Sequence, residues 1–361
     1  MRKIFKPDRK PLIGLDIGSS SLKWVELAQN DQSQLVLERC VMEPLQAGWI
    51  VSGYIAQFDE VAAALRRLLK ASGSRTREVA IAMPDSEVIT VKIRLPADLG
   101  EAEQLRQVVA EVERMTGRPW ADVSVDYAVQ RQAQAPGQSA EIEILIVAAS
   151  KEKVQDRLGL AESAGLEPVV VDVEAEASML AARRLISARH AASASPVVAL
   201  FQVGTEGASL HVTHRGEIIH ALRKSGGGAR LTELIAQTYG LEASAAEGQK
   251  CQEALPADYG QAVLQPFVRT LADALVSDLD AFLRASSFRK IDSVLLAGGS
   301  SVLHGLQDAI QRRIFSDCVR VDPFSGMLLG EAVQGGAFEH AGRAGMLTAC
   351  GLALRRFHGS C

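Results

Sequence analysis

The first regular pattern in the chain is an apolar run, Leu12-Ile13-Gly14-Leu15-Asp16-Ile17, that carries a single Asp and stops at a Gly/Ser turn, Gly18-Ser19-Ser20-Ser21. Beyond the turn, Leu22 and Trp24 alternate with Lys23 and Val25, so the stretch reads as strand, tight turn, strand. Gln34 to Val41 predicts a third strand. Apolar residues then recur at spacings of three and four through Val61, Ala62, Leu65, Leu68 and Leu69, which predicts a helix from Phe58 that Gly73 ends. Glu78 to Met83 reads as a buried strand.

The alternation from Ser86 to Leu95, with Ile89, Val91, Ile93 and Leu95 on one side, predicts a further strand, and Glu101 to Met115 an amphipathic helix. Strands near Val123 to Val129 and Ile142 to Ala148 flank a Gln/Ala/Pro/Gly loop, and Lys151 to Ala164 predicts a closing helix. Residues 86–166 thus read as an inserted subdomain. Pro168 to Asp172 is a run of consecutive Val residues, the pattern expected of a strand buried on both faces. The Ala/Ser stretch Ala188 to Ser195 before Pro196 marks a break between two halves.

After the break the opening pattern returns. Val198-Ala199-Leu200-Phe201-Gln202-Val203-Gly204-Thr205-Glu206-Gly207-Ala208-Ser209-Leu210 repeats strand, Gly turn, strand, with Gln202 at the register of Asp16 and Gly204 at that of Gly18. Gly226-Gly227-Gly228 opens a helix over Leu231 to Tyr239, and the stripe from Leu264 to Leu283 predicts a long core helix. Ile291 to Ala297 is a buried strand running into Gly298-Gly299-Ser300-Ser301. The predicted division is residues 1–85 with 167–195 and 336–361 as one half, 86–166 as the insertion and 196–335 as the second half.

A Gly/Ser turn between two strands is not a P-loop, which must feed a helix through Gly-Lys-Ser/Thr. Convergent backbone N–H groups, the Lys23 ammonium and the Asp16 carboxylate can still hold a phosphate and the water shell of a magnesium ion. The same residues also make an ordinary exposed turn. Two Gly hairpins in matching places, plus a Gly-Gly turn where a nucleoside could approach the backbone, favour a nucleotide cleft.

Composition narrows the partners. The 361 residues carry a net charge of −4 and have no basic stripe with interleaved aromatics, which argues against nucleic acid. Five cysteines without a Cys-x-x-Cys pair indicate neither a disulfide framework nor a zinc site and fit a reducing cytosol. The basic segment Met1 to Lys10 is expected to be a frayed tail, and no stretch approaches a membrane span. His211 and His214, three apart on a strand, fall on opposite faces and cannot share a metal. Asp172, Glu174 and Glu176 look like a helix N-cap with carboxylates in its first turn, and a water-positioning role is the alternative.

The ordered set of two hairpins and a Gly-Gly turn resembles the superfamily of actin, the heat-shock chaperones and sugar kinases. The closer resemblance is to the PilM family of type IV pilus assembly proteins, relatives of FtsA. It is carried by Leu15 to Lys23, Val171 to Ala175, Leu255 to Tyr259 with Val263 to Phe267, Leu295 to Gly299 and Cys350 to Arg355. It implies an α/β fold of duplicated RNase H-like halves with an inserted FtsA-like α+β subdomain. ATP with magnesium would lie against Asp16, Gly18, Ser19, Ser20, Ser21, Lys23, Gly204, Thr205, Gly227, Gly228, Glu247, Lys250, Gly298, Gly299 and Ser300, with Asp16 on the metal. The implied partner is the cytoplasmic N-terminal peptide of an inner-membrane PilN-like protein, met at the inner face of the membrane.

The chain departs from that pattern where Gln202 replaces the Asp of the second hairpin, where Ala229 and Arg230 follow the glycines, and where Thr116-Gly117-Arg118-Pro119-Trp120 replaces a Tyr-Ile-Pro-Tyr-Pro segment. Ala246 to Lys250 retains the family's Ala-Glu-x-x-Lys helix only in part. Without a carboxylate at Gln202, hydrolysis is expected to be slow or absent. A small-molecule kinase or phosphatase and a filament-forming FtsA-like protein are the other readings.

Overall fold

The computed structural model describes residues 11–131, 141–191, 193, 195–334 and 340–357. The basic first ten residues, most of the Gln/Ala/Pro/Gly loop, parts of the Ala/Ser break and of the 336–361 return, and Cys361 lie outside them.

Leu12–Ile17 and Ser21–Gln29 form the expected hairpin, pairing Asp16 with Lys23 and Ile17 with Leu22. Leu35–Pro44 adds antiparallel to the second strand. The helix Phe58–Ser72 ends at Gly73, whose φ of 61° only a glycine adopts freely, and returns the chain to Glu78–Met83, parallel to the first strand. Glu167–Val173 follows parallel at the sheet edge, and Leu328–Leu329 joins at the opposite edge. In the second sheet, Val197–Val203, Gly207–His214 and Glu217–Ser225 repeat the antiparallel trio, and Ser293–Ala297 and Asp317–Arg320 repeat the parallel pair. The two sheets share one strand plan, which is the duplication.

The run of valines is not buried on both faces. Among the described residues its strand lies at the sheet edge, and Val169 and Val171, 44% and 42% exposed, share the one face left uncovered; β-branched residues suit an edge strand as well as a central one.

The chain between Val88 and Ser150 builds a separate three-stranded sheet, Val88–Pro96, Glu141–Ser150 and Val123–Arg131 in spatial order, covered by the helix Glu101–Thr116. Val91, Ile93 and Leu95 pack into this unit's own core with Val108, Val112 and Ile144. The helix Lys151–Ser163 that follows buries Leu160 and Ala161 with Ile13, Leu15 and Val79 of the first half.

Two interior features hold the halves together. The helix Leu347–Leu354, buried along its whole length, runs close under the first strand, where a Cβ on Gly14 would lie 1.9 Å from the Ala349 carbonyl oxygen. On its other side a Cβ on Gly351 would lie 1.6 Å from that of Ala177. A shared core joins Val25 and Leu27 of the first sheet to Val198, Leu200 and Leu295 of the second through Met179, Ala349 and Cys350. The long helix Gln265–Ala285, entered through the π-turn Gly260–Leu264, buries its stripe against the second sheet.

Candidate functional site

The two hairpin turns meet across the space between the halves. Ser20 Oγ and Thr205 Oγ1 are 2.6 Å apart, and both Glu206 carboxylate oxygens accept from the Ser52 N–H, at 2.9 and 3.1 Å. Asp16 holds Lys23 Nζ at 2.8 Å, both side chains lying within the cleft. Ser21 is buried in the second strand, so Ser19 and Ser20 form the tip.

The glycines fall into two groups. Gly18 N and Gly204 N are used inside their own turns, donating to Ser21 O at 3.2 Å and Gly207 O at 2.8 Å. The triple-glycine turn docks on the second hairpin: Gly228 N and Ala229 N donate to the carbonyls of Gly204 and Thr205 at 2.9 and 2.8 Å. A Cβ on Gly227 would lie 2.2 Å from Gly204 O, and one on Gly228 would lie 2.5 Å from Ser300 Oγ, which itself donates to Gly204 O at 3.0 Å. Close packing of backbone on backbone therefore requires glycine at 227, whereas at 228 the tight neighbour is the Ser300 side chain. Gly298, at φ +91°, crosses the Val203 backbone, whereas a Cβ on Gly299 would meet nothing within 4 Å. Gly299 leaves the open floor where a base could lie.

Lys250 closes one side of this knot. Its ammonium donates to Thr232 Oγ1 at 2.7 Å and to the Glu247 carboxylate at 2.5 Å, and it lies 3.4 Å from Gly228 O. Contact with Lys250 and Thr232 holds the Glu247 carboxyl below its ordinary range in spite of partial burial.

The acidic cluster separates in space. Asp172 is not a helix cap: its carboxylate takes Arg355 bidentately at 2.5 and 2.8 Å, and the residue at the helix start is Val173. Asp85, which no local pattern distinguishes, instead accepts from Ala175 N at 2.9 Å in the first turn. Glu176 is half-buried beside Arg183 at 3.6 Å. Glu174 alone enters the cleft, where Gln202 Nε2 donates to it at 3.4 Å and Arg223 lies 3.7 Å away. Loss of surrounding water raises the Glu174 carboxyl to about 7, with the charges of Asp85 and Asp16 adding to the rise and those of Arg223 and Lys23 opposing it. A carboxyl crowded in this way by neighbouring carboxylates is the electrostatic setting in which a divalent cation is welcome.

Gln202 pairs with Ser209 as Asp16 pairs with Lys23, one residue before the last pair of each hairpin. The second hairpin thus keeps the geometry of the first without either of its charges. Gln202 also donates to Thr348 Oγ1 at 3.1 Å, tying the hairpin to the buried helix. His211 is buried at the junction of the halves, 3.6 Å from Asp85; His214 stacks edge-on against Phe288. Among the described residues no group of His, Cys, Asp and Glu has the arrangement of a protein-only metal site.

Duplicated sheets with facing Gly hairpins and a carboxylate-lined floor define a protein of the actin-like ATPase fold. The fold is also that of the ethanolamine utilization protein EutJ from Carboxydothermus hydrogenoformans, matched at 16% identity over 98% of this chain and 93% of that one with a TM-score of 0.54. MreB5 of Spiroplasma citri bound to ADP matches at 12% identity, over 97% and 99% of the two chains, with a TM-score of 0.50. More specifically, residues 14–357 match the family model of the type IV pilus assembly protein PilM, and the chain belongs to that family. A structure of the PilM-PilN type IV pilus biogenesis complex is similar at 26% identity, with a TM-score of 0.80, over 98% of this chain and all of that one. No helix among the described residues is long and apolar enough to cross a membrane.

Proposed function

We propose that this chain is a nucleotide-loaded component of a type IV pilus assembly machine, working in the cytoplasm at the inner face of the membrane and capturing the N-terminal peptide of a PilN-like protein. The observation that carries the nucleotide reading is the meeting of Ser20 and Thr205 at 2.6 Å above Asp16, Lys23 and Glu174. Two hydroxyls and an ammonium that converge between the halves suit a polyphosphate, and Asp16 is the carboxylate that would hold the water shell of magnesium. Gly299 gives the adenine an open floor.

Turnover should be slow. Gln202 orients Glu174 but adds no negative charge toward a metal, and losing one such group commonly costs about a hundredfold in rate. A labelled ATP analogue should bind saturably with magnesium, Asp16→Ala and Lys23→Ala should each weaken it, and Gln202→Asp should speed phosphate release. Absence of saturable binding, or variants that bind like the parent chain, would overturn the cleft reading.

For the partner, the apolar side of Val88–Pro96 is already spent on the inserted unit's own core. What supports peptide capture is two of the edge strands, Val88–Pro96 and Glu167–Val173, each without an outer neighbour among the described residues. An extended peptide can pair with such an edge through its backbone while Val169 and Val171 receive its side chains. A peptide carrying the PilN-like N-terminus should bind the full chain. Val169→Glu with Val171→Glu should weaken it about tenfold or more and leave nucleotide affinity unchanged.

A further inference from the structure

The long helix Gln265–Ala285 leaves a gap beside the second sheet. Along one side of it Pro266, Thr270 and Ala274 recur at intervals of four, all short and all exposed. Between that row, the helix Gly228–Tyr239 and the strand Glu217–Ser225 lies a cavity of about 440 Å³. Leu210, Leu222, Leu234, Phe267 and Leu271 give it apolar walls. Its volume is that of sites that hold small molecules, and an apolar occupant would gain dispersion contacts there that water does not supply.

The cavity is long as well as apolar. Its wall follows the helix from Pro266 to Asp278, a run of about 18 Å. The charged residues on the wall are Lys224, Arg230 and Asp278, two cations against one carboxylate. Asp278 is buried and is neutralised by Lys224, whose half-exposed ammonium keeps N–H groups to spare. Arg230, in the first turn of its helix, meets Glu233 at 2.8 Å, but both side chains are at least half exposed and water screens the pair. The other charges on these elements are engaged elsewhere: Arg223 turns into the cleft toward Glu174, and Asp273 pairs with Arg313 off the wall.

A long apolar space with spare cationic donors fits a ligand that is an alkyl chain with one anionic end. We infer that the cavity binds a free single-chain fatty carboxylate of about twelve carbons, the length that C–C bonds of about 1.5 Å allow, with its chain along Gln265–Ala285 and its carboxylate received by Lys224 and Arg230. The wall includes none of the cleft residues Asp16, Lys23, Glu174, Thr205 and Gly299. The site is therefore separate from the one proposed for the nucleotide.

Titration calorimetry of the full chain with dodecanoate, kept below its micelle concentration, tests this. Dodecanoate should bind saturably, one molecule per chain. Octanoate, with its shorter chain, should bind about a hundredfold more weakly, and dodecyltrimethylammonium, with the opposite charge at its head, about tenfold or more weakly than dodecanoate. Ala274→Trp puts a ring into the groove and should abolish binding; Arg230→Glu should weaken dodecanoate about tenfold and narrow its advantage over the ammonium probe. Both positions are exposed, and unchanged circular dichroism and melting would show that the variants fold; the chain-length and head-charge comparisons on the parent chain decide the matter without them. Absence of saturable binding, equal binding of the two heads, or a folded Ala274→Trp variant that binds like the parent overturns the inference. Displacement of dodecanoate by an ATP analogue overturns it in favour of the cleft, and uptake seen only from phosphatidylglycerol vesicles overturns it in favour of a lipid surface.

Discussion

Glu174 is the residue whose chemistry the tertiary structure changes most. Its carboxyl titrates at about 7 in the folded chain against 4.5 ordinarily, first through lost hydration and then through Asp85 and Asp16. The folded state therefore holds this proton more tightly than the unfolded chain does. Its contribution to stability is fully present below about pH 4.5 and is lost as pH rises through about 7. Glu174→Gln, which cannot ionise, should remove that decline and raise the melting temperature at pH 8 relative to the parent. The upper limit is about 3 kcal/mol, reduced because the side chain keeps 28% of its exposure. Thermal melts of both proteins between pH 4 and 8 check it, and parallel pH profiles would remove Glu174 from this role.

At the scale of elements, the helix Leu347–Leu354 is the piece on which both sheets rest. Its two close approaches need glycine, and a side chain at 351 would have to displace the Ala177 backbone of the helix Glu174–Arg189. Gly351→Val should cost about 3 kcal/mol or more, or give no folded protein, read by chemical denaturation or by yield. Just past this helix, Arg355 clamps Asp172 at the sheet edge with both side chains largely covered. Arg355→Ala leaves that carboxylate shielded and unpaired, so a loss of about 2 kcal/mol is expected, and Asp172→Asn should recover part of it.

For the whole molecule, the question is how the halves open. They touch at the turns through Ser20 with Thr205 and through Ser52 with Glu206. A ligand whose phosphates lie between the hairpins must part these contacts, so they set an opening barrier without setting the affinity of the open cleft. Glu206→Ala removes two charge-assisted bonds and leaves Asp16 and Lys23 intact. It should speed both association and release of a fluorescent ATP analogue several-fold in stopped flow; unchanged rates would mean that the halves separate elsewhere.

Much of this was legible in the chain itself. Period-two alternation and Gly/Ser turns located both hairpins, and the matching places of Asp16 and Gln202 survive in the strand register, because strand pairing follows local sequence closely. The spacing of Leu65, Leu68 and Gly73 marked its helix for the same reason. What tertiary structure alone decided involves partners far apart in sequence. A row of valines cannot say whether a neighbour covers it, so the edge position of Glu167–Val173 was not readable. Nor could local pattern show that Asp85 would serve a helix start 90 residues away, that Arg355 would claim Asp172, or that the glycine at 227 would be needed by backbone packing. Periodicity reports which face of an element is apolar; which surface meets that face, and what charge it brings, is fixed only when the two halves close on each other.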